Sequence, residues 1–105
     1  IRPIDTREQI EAVFLMLPHM SYEMNGNWNQ RYRENLEHLK SGDLMEVAGV
    51  IKGLMHRDSQ RGLSTGERKM LYIAKQILIS EVSLAEDLDY KTVEERINDA
   101  VKTQT

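Results

Sequence analysis

The residues best suited to proton or metal chemistry in this chain are His19, His38 and His56, and their spacing permits neither. They fall on a loop and on two different predicted helices, and no H-E-x-x-H pair occurs. Each reads as a surface histidine. Ser64 lies in "RGLSTGE" with no G-x-S-x-G elbow around it, and S-x-x-E helix capping gives Ser64 and Glu67 a complete role. "STGERK" lacks the G-x-x-x-x-G-K-[ST] spacing of a phosphate loop. The adjacent carboxylates Glu94 and Glu95 sit on a solvated helix. With no cysteine there is no disulfide framework and no thiolate metal site. We therefore expect no enzyme, no metal, no cofactor and no small-molecule substrate.

Two basic pairs and the single tryptophan are what remain. Arg31 and Arg33 follow the start of a predicted second helix, and Arg68 and Lys69 follow the start of a fourth. Helix N-termini carry partial positive charge and unpaired N–H groups, so two such starts brought together would suit phosphate oxygens. The same arginines could equally form a solvated face with pairs such as Arg33 to Glu37. Trp28 stands in "NGNWNQRYR", with Met24 the nearest apolar residue before it. Its ring can fold over Tyr32 or against Phe14 as part of the core. It can also stand exposed at a helix start, the arrangement a minor-groove wedge requires.

The elements that position these residues are all helical. "TREQ" from Thr6 is a T-x-x-Q capping box, followed by Ile10, Val13, Phe14 and Leu17 at helical spacing and closed by Pro18. "HMSYEMNGN" reads as a loop, and a second helix runs from Asn27 or Trp28 to Lys40 with Tyr32, Leu36 and Leu39 on one face. Asp43 caps a third helix carrying Leu44, Val47, Ala48, Ile51, Leu54 and Met55, in which Gly49 and Gly53 are read as permitting close packing. Gly62 ends it in a left-handed conformation, and Ser64 opens the longest helix, with Met70, Leu71, Ala74, Ile77, Leu78, Val82 and Ala85 in a stripe. A fifth, acidic helix spans Tyr90 to Lys102 with Val93, Ile97 and Val101 inward. The expectation is an all-α compact bundle of about five helices.

A chain of 105 residues is one domain with a real core. We divide it into a linker end over 1–5, a helical domain over 6–102 and a tail over 103–105. It opens "IRPID" without methionine, as a piece of a longer protein would. No apolar run approaches the length of about 20 residues that spans a bilayer, so a soluble, cytoplasmic protein without membrane contact is expected. The net charge of −3 hides an asymmetry, with eight Lys/Arg against six acids over 25–69 and three against seven over 81–105. Met16, Met45, Met55 and Met70 read as core filling. Glu81, between Leu78, Val82 and Ala85, is either a buried acid paired with a base such as Arg57 or an acid at the helix edge facing water.

Over residues 27–86, the run "NW…RYR.NLE.L.SGD" followed by "EVA.VI..L..RD..RGLS.GE.KML..A.Q.L..E..LA" resembles the C-terminal helical domain of the CarD/CdnL family of bacterial transcription regulators. The resemblance implies that an N-terminal Tudor-like domain, absent here, binds the RNA polymerase β subunit. It implies too that the helical domain meets promoter DNA near the upstream edge of the −10 element, placing the protein at the nucleoid. A tryptophan matching Trp28 would wedge into the minor groove at the fork of the bubble and hinder its collapse, with bases matching Arg33 and Arg68 on the backbone. Gln30 stands where relatives often carry a base, and Arg68 replaces the usual lysine. Beyond Glu86 the match is poor, and we assign that segment only a packing role.

Together these give a domain that binds DNA without sequence specificity, with Trp28, Arg31, Arg33, Arg68 and Lys69 as its contacts. The other reading is a helical protein-interaction module that docks through its acidic last helix or a Met-rich surface.

Overall fold

The computed structural model describes residues 6–20 and 28–102, with Trp28 described by its backbone alone. The expected linker end, most of the "HMSYEMNGN" loop and the tail lie outside the described residues. Five α-helices follow in order: α1 Thr6–Met16, α2 Trp28–Lys40, α3 Leu44–Arg61, α4 Thr65–Glu86 and α5 Tyr90–Lys102. Among the described residues there is no strand, so the all-α expectation holds.

The helix limits follow local chemistry. The Asp43 carboxylate accepts the Met45 N–H at 2.8 Å and starts α3 as expected. Gly62 stops α3 with φ of 79° and ψ of 166°, a positive φ with an extended ψ rather than the left-handed helical pair. Ser64 and Glu67 form the complete capping box of α4. The end of α4 has no glycine; Asp87 takes the left-handed conformation itself, with φ 53° and ψ 49°, one of the few non-glycine types that do so readily. Thr6 is the first residue of α1 rather than a cap before it, and Pro18 and His19 belong to a 3-10 turn over Leu17–His19.

α3 and α4 make the most extensive contact and form the centre of the bundle. Leu44, Val47, Val50, Ile51 and Leu54 of α3 meet Met70, Leu78, Ile79 and Val82 of α4. α1 adds Ile10 and Val13, and α5 closes the other side with Val93, Ile97 and Val101. Two long cations finish helix ends that would otherwise leave carbonyls bare. Lys52 Nζ donates to the Val101 carbonyl at 2.8 Å, and Arg7 Nε to the Ala85 carbonyl at 3.2 Å. The domain measures 37 × 31 × 26 Å.

Two expectations about packing change. A Cβ at Gly49 would meet nothing within 4 Å, so close packing does not require glycine there. Met70 is buried and Met45 and Met55 are half-buried, but Met16 is 50% exposed and fills no core. α2 is the exception in packing. Among its described side chains none belongs to the buried apolar core; Tyr32, Leu36 and Leu39 are half-buried against it, and the buried ones are Arg31 and Asn35.

Candidate nucleic-acid interface

The first turn of α4 presents its residues in opposite directions. Glu67 is buried, while Arg68 and Lys69 are exposed. Glu67 points inward because it closes the cap: its backbone N–H donates to Ser64 Oγ at 3.2 Å, and Oε1 receives the Ser64 N–H at 3.4 Å and hydroxyl at 3.2 Å. Its other oxygen, Oε2, receives the Arg31 Nε–H at 3.2 Å, with both side chains 5% exposed. Arg57 Nε, from α3, lies 3.4 Å from the same oxygen without hydrogen-bond alignment. One carboxylate thus joins three helices.

Burial pushes the Glu67 carboxyl toward protonation. The Ser64 N–H, the Arg31 hydrogen bond and charge, and the Ser64 hydroxyl outweigh that effect and hold it below the usual carboxylate range. Glu67 is ionised at neutral pH and balances two guanidinium groups where water is largely excluded.

The two helix starts therefore meet, with the arginines of the first turned in different directions. Arg31, expected as a phosphate contact, is only 4% exposed and is turned into the bundle. Arg33, two residues on, is exposed and makes no ion pair with Glu37 or any other described acid within 4.0 Å. It edges a shallow depression with Asn29, Gln30, Glu34 and Glu37. Gln30 there donates to Glu34 at 3.3 Å. Arg68 turns its Nε to the Leu63 carbonyl at 3.2 Å, which steadies the stem of an exposed guanidinium. Lys69 is exposed beside it. The Trp28 side chain lies outside the described residues, and its backbone is the first residue of α2, one turn before Arg31.

The face is only mildly positive, because Glu34 and Glu37 accompany Arg33. Positive potential comes from three exposed cations and the first turns of two helices. Such a surface suits a few phosphate oxygens and carries no base-reading array. Elsewhere, His38 Nδ1 lies 3.1 Å from Glu46, His19 and His56 are exposed, and no described group of three or more His, Cys, Asp or Glu could hold a metal ion. No described helix is long and apolar enough to cross a membrane.

Residues 12–98 match the family model for the CarD C-terminal domain. The chain belongs to this family. A protein of Bacillus subtilis (strain 168) named "Putative transcription factor YdeB" is 29% identical over 93 residues, covering 89% of this chain and 61% of that protein. The chain thus spans about three fifths of that relative's length. The family match runs through most of α5, so the resemblance extends past Glu86, where the motifs alone fade. Domains of the CarD C-terminal type are non-catalytic regulatory modules, in keeping with the absence of any catalytic motif in the sequence.

Two features escaped the sequence reading. Glu67 was accounted for by its cap alone, so its second oxygen had no assigned partner. Of the two readings of Glu81, the acid at the helix edge facing water holds, and the acid beside Arg57 is Glu67 instead. The available signal was the buried-side register of Arg57 and Glu67 on their helices, visible only once both helices are packed.

Proposed function

We propose that this domain holds promoter DNA open as part of an RNA polymerase-associated transcription regulator. Trp28 enters the minor groove at the upstream edge of the bubble, and Arg33, Arg68 and Lys69 hold the phosphate backbone on either side. The observation that supports this reading is the junction at Glu67. It brings the first turn that carries Trp28 against the turn that carries Arg68 and Lys69, with membership of the CarD family as context. Arg31 is left out of the contact set because it is occupied inside.

The wedge supplies a flat apolar surface against an unstacked base step, and the cations orient it without reading sequence. About three phosphate contacts give a salt slope of roughly −2 to −3 in log–log form, a weak grip in isolation. The RNA polymerase β subunit is the second partner, reached through an N-terminal domain not contained in these residues, and that anchorage raises the local concentration at the promoter. Such work belongs to the nucleoid.

The test is open-complex lifetime on the cognate polymerase with the intact protein and with Trp28→Ala. The wild-type protein should prolong the lifetime and the variant should not. An unchanged lifetime in a folded Trp28→Ala protein removes Trp28 from the mechanism. The interaction-module reading is separated in the same experiment by Trp28 fluorescence, since emission that ignores forked DNA favours a protein partner.

A further inference from the structure

α2 carries the proposed wedge, yet among its described side chains none belongs to the buried apolar core. Its half-buried apolar residues, Tyr32, Leu36 and Leu39, begin four residues beyond Trp28. Among the described side chains of the first turn, Asn29 and Gln30 are exposed and Arg31 enters the protein. What meets it is Glu67, across 36 positions of sequence. Apolar contacts are non-directional and tolerate sliding, whereas a buried N–H to carboxylate bond fixes distance and angle together. Glu67 is itself held, because the Ser64 cap fixes Oε1 and leaves Oε2 aimed at the two guanidinium groups.

From this we infer that Glu67 is a positioning residue for the DNA contact: its bond to Arg31 sets where the first turn of α2, and hence Trp28, stands relative to Arg68 and Lys69. The inference rests on the wedge reading for its function, but its geometry does not. Arg68 and Lys69 follow Glu67 directly in the chain, so one carboxylate registers both halves of the face. Arg57 Nε, 3.4 Å from the same oxygen, adds an ionic contact from α3, which ties the face to the bundle centre. Arg31 thereby acts on DNA without touching it.

A merely stabilising ion pair and a positioning one respond differently to the double exchange Arg31→Met with Glu67→Met. Apolar side chains of similar reach can replace a buried pair with little or no loss of stability, but they restore no fixed angle. The double variant should melt well above Glu67→Ala, because Arg31 no longer leaves a buried charge, and below wild type by no more than the lost Ser64 cap and Arg57 contact. Its Trp28 fluorescence anisotropy should decay faster, through freer motion of the indole. Open-complex lifetime should fall several-fold, toward that of Trp28→Ala. Should the double variant fail to fold, Arg31→Lys takes its place, since it keeps the charge and loses the planar guanidinium geometry.

Wild-type anisotropy decay in the folded variant would overturn the inference. So would a wild-type lifetime, provided Trp28→Ala shortens it. If Trp28→Ala leaves the lifetime unchanged, the wedge reading fails and the assignment of Glu67 to the DNA contact goes with it. The anisotropy arm still reports whether Glu67 holds the first turn of α2, so the two failures are told apart.

Discussion

Around Leu54, Leu78 and Ile97 the bundle is held by fully buried aliphatic side chains contributed by α3, α4 and α5. At the start of α2 the same bundle is held by Arg31 and Asn35 inside and by the half-buried Tyr32, Leu36 and Leu39 at the edge. The first region draws its stability from area removed from water, which is additive and largely indifferent to angle. The second draws it from one carboxylate that must remain ionised and in place. A face that binds a stiff, charged ligand gains from the second kind of support, because position matters there more than strength. The cost is sensitivity to charge.

The largest test of the contrast is Glu67→Ala. It removes the acid facing the Arg31 guanidinium, whose side chain is 5% exposed, and the acid 3.4 Å from Arg57 Nε. Removing one partner of such a pair costs about 3–5 kcal/mol, a large share of a small domain's total. Chemical denaturation should show a loss of that order. A loss near that of an exposed pair would mean that water enters the junction and that the two regions are less distinct than drawn.

What the sequence made legible divides along the same line. The five helices, the Asp43 cap and the Ser64–Glu67 box could be read because their causes lie within a few residues of one another. The core stripe on α3 and α4 could be read because aliphatic periodicity has one common outcome. Arg31 could not. Its neighbours Asn29, Gln30 and Arg33 are polar, and an arginine near a helix start looks solvated until its partner is known. That partner is 36 residues away and already had a sufficient local role. The end of α4 escaped for a related reason: Asp87 takes a conformation usually signalled by glycine. Gly49 failed in the other direction, since paired glycines suggest close contact and space surrounds this one.

A smaller effect follows from acid. Glu67 has a folded-state pKa below its unfolded value, which is about 4.3 for an ordinary glutamate. Its contribution is therefore fully present above that unfolded value and is lost as pH falls through the lowered folded value. The melting temperature should hold from neutral pH down to about 5 and then decline. Glu67→Gln should lower stability at neutral pH and flatten the acid decline, because its side chain has no proton to gain. Leu54→Ala, which removes core area alone, should cost about 2–5 kcal/mol and keep the wild-type acid slope. Equal acid slopes in wild type and Glu67→Gln would assign the decline to other carboxylates.

The smallest change should be a gain. Gly49 lies within α3, half-buried, and a Cβ there meets nothing within 4 Å. Alanine at this position keeps every contact while narrowing the backbone freedom of the unfolded chain, a stabilisation of about 0.5–1 kcal/mol. For a domain of this size that is a rise of roughly 4–8 °C per kcal/mol in melting temperature. Gly49 is eight residues from Arg57, about 12 Å along the helix at 1.5 Å per residue, so the Glu67 junction should not register the change. Gly49→Ala should therefore raise the melting temperature, leave the acid slope as it was and leave Trp28 anisotropy untouched. A gain in stability that also altered either of the last two would show that the apolar core and the polar junction are coupled, and that the position of α2 is set partly from α3.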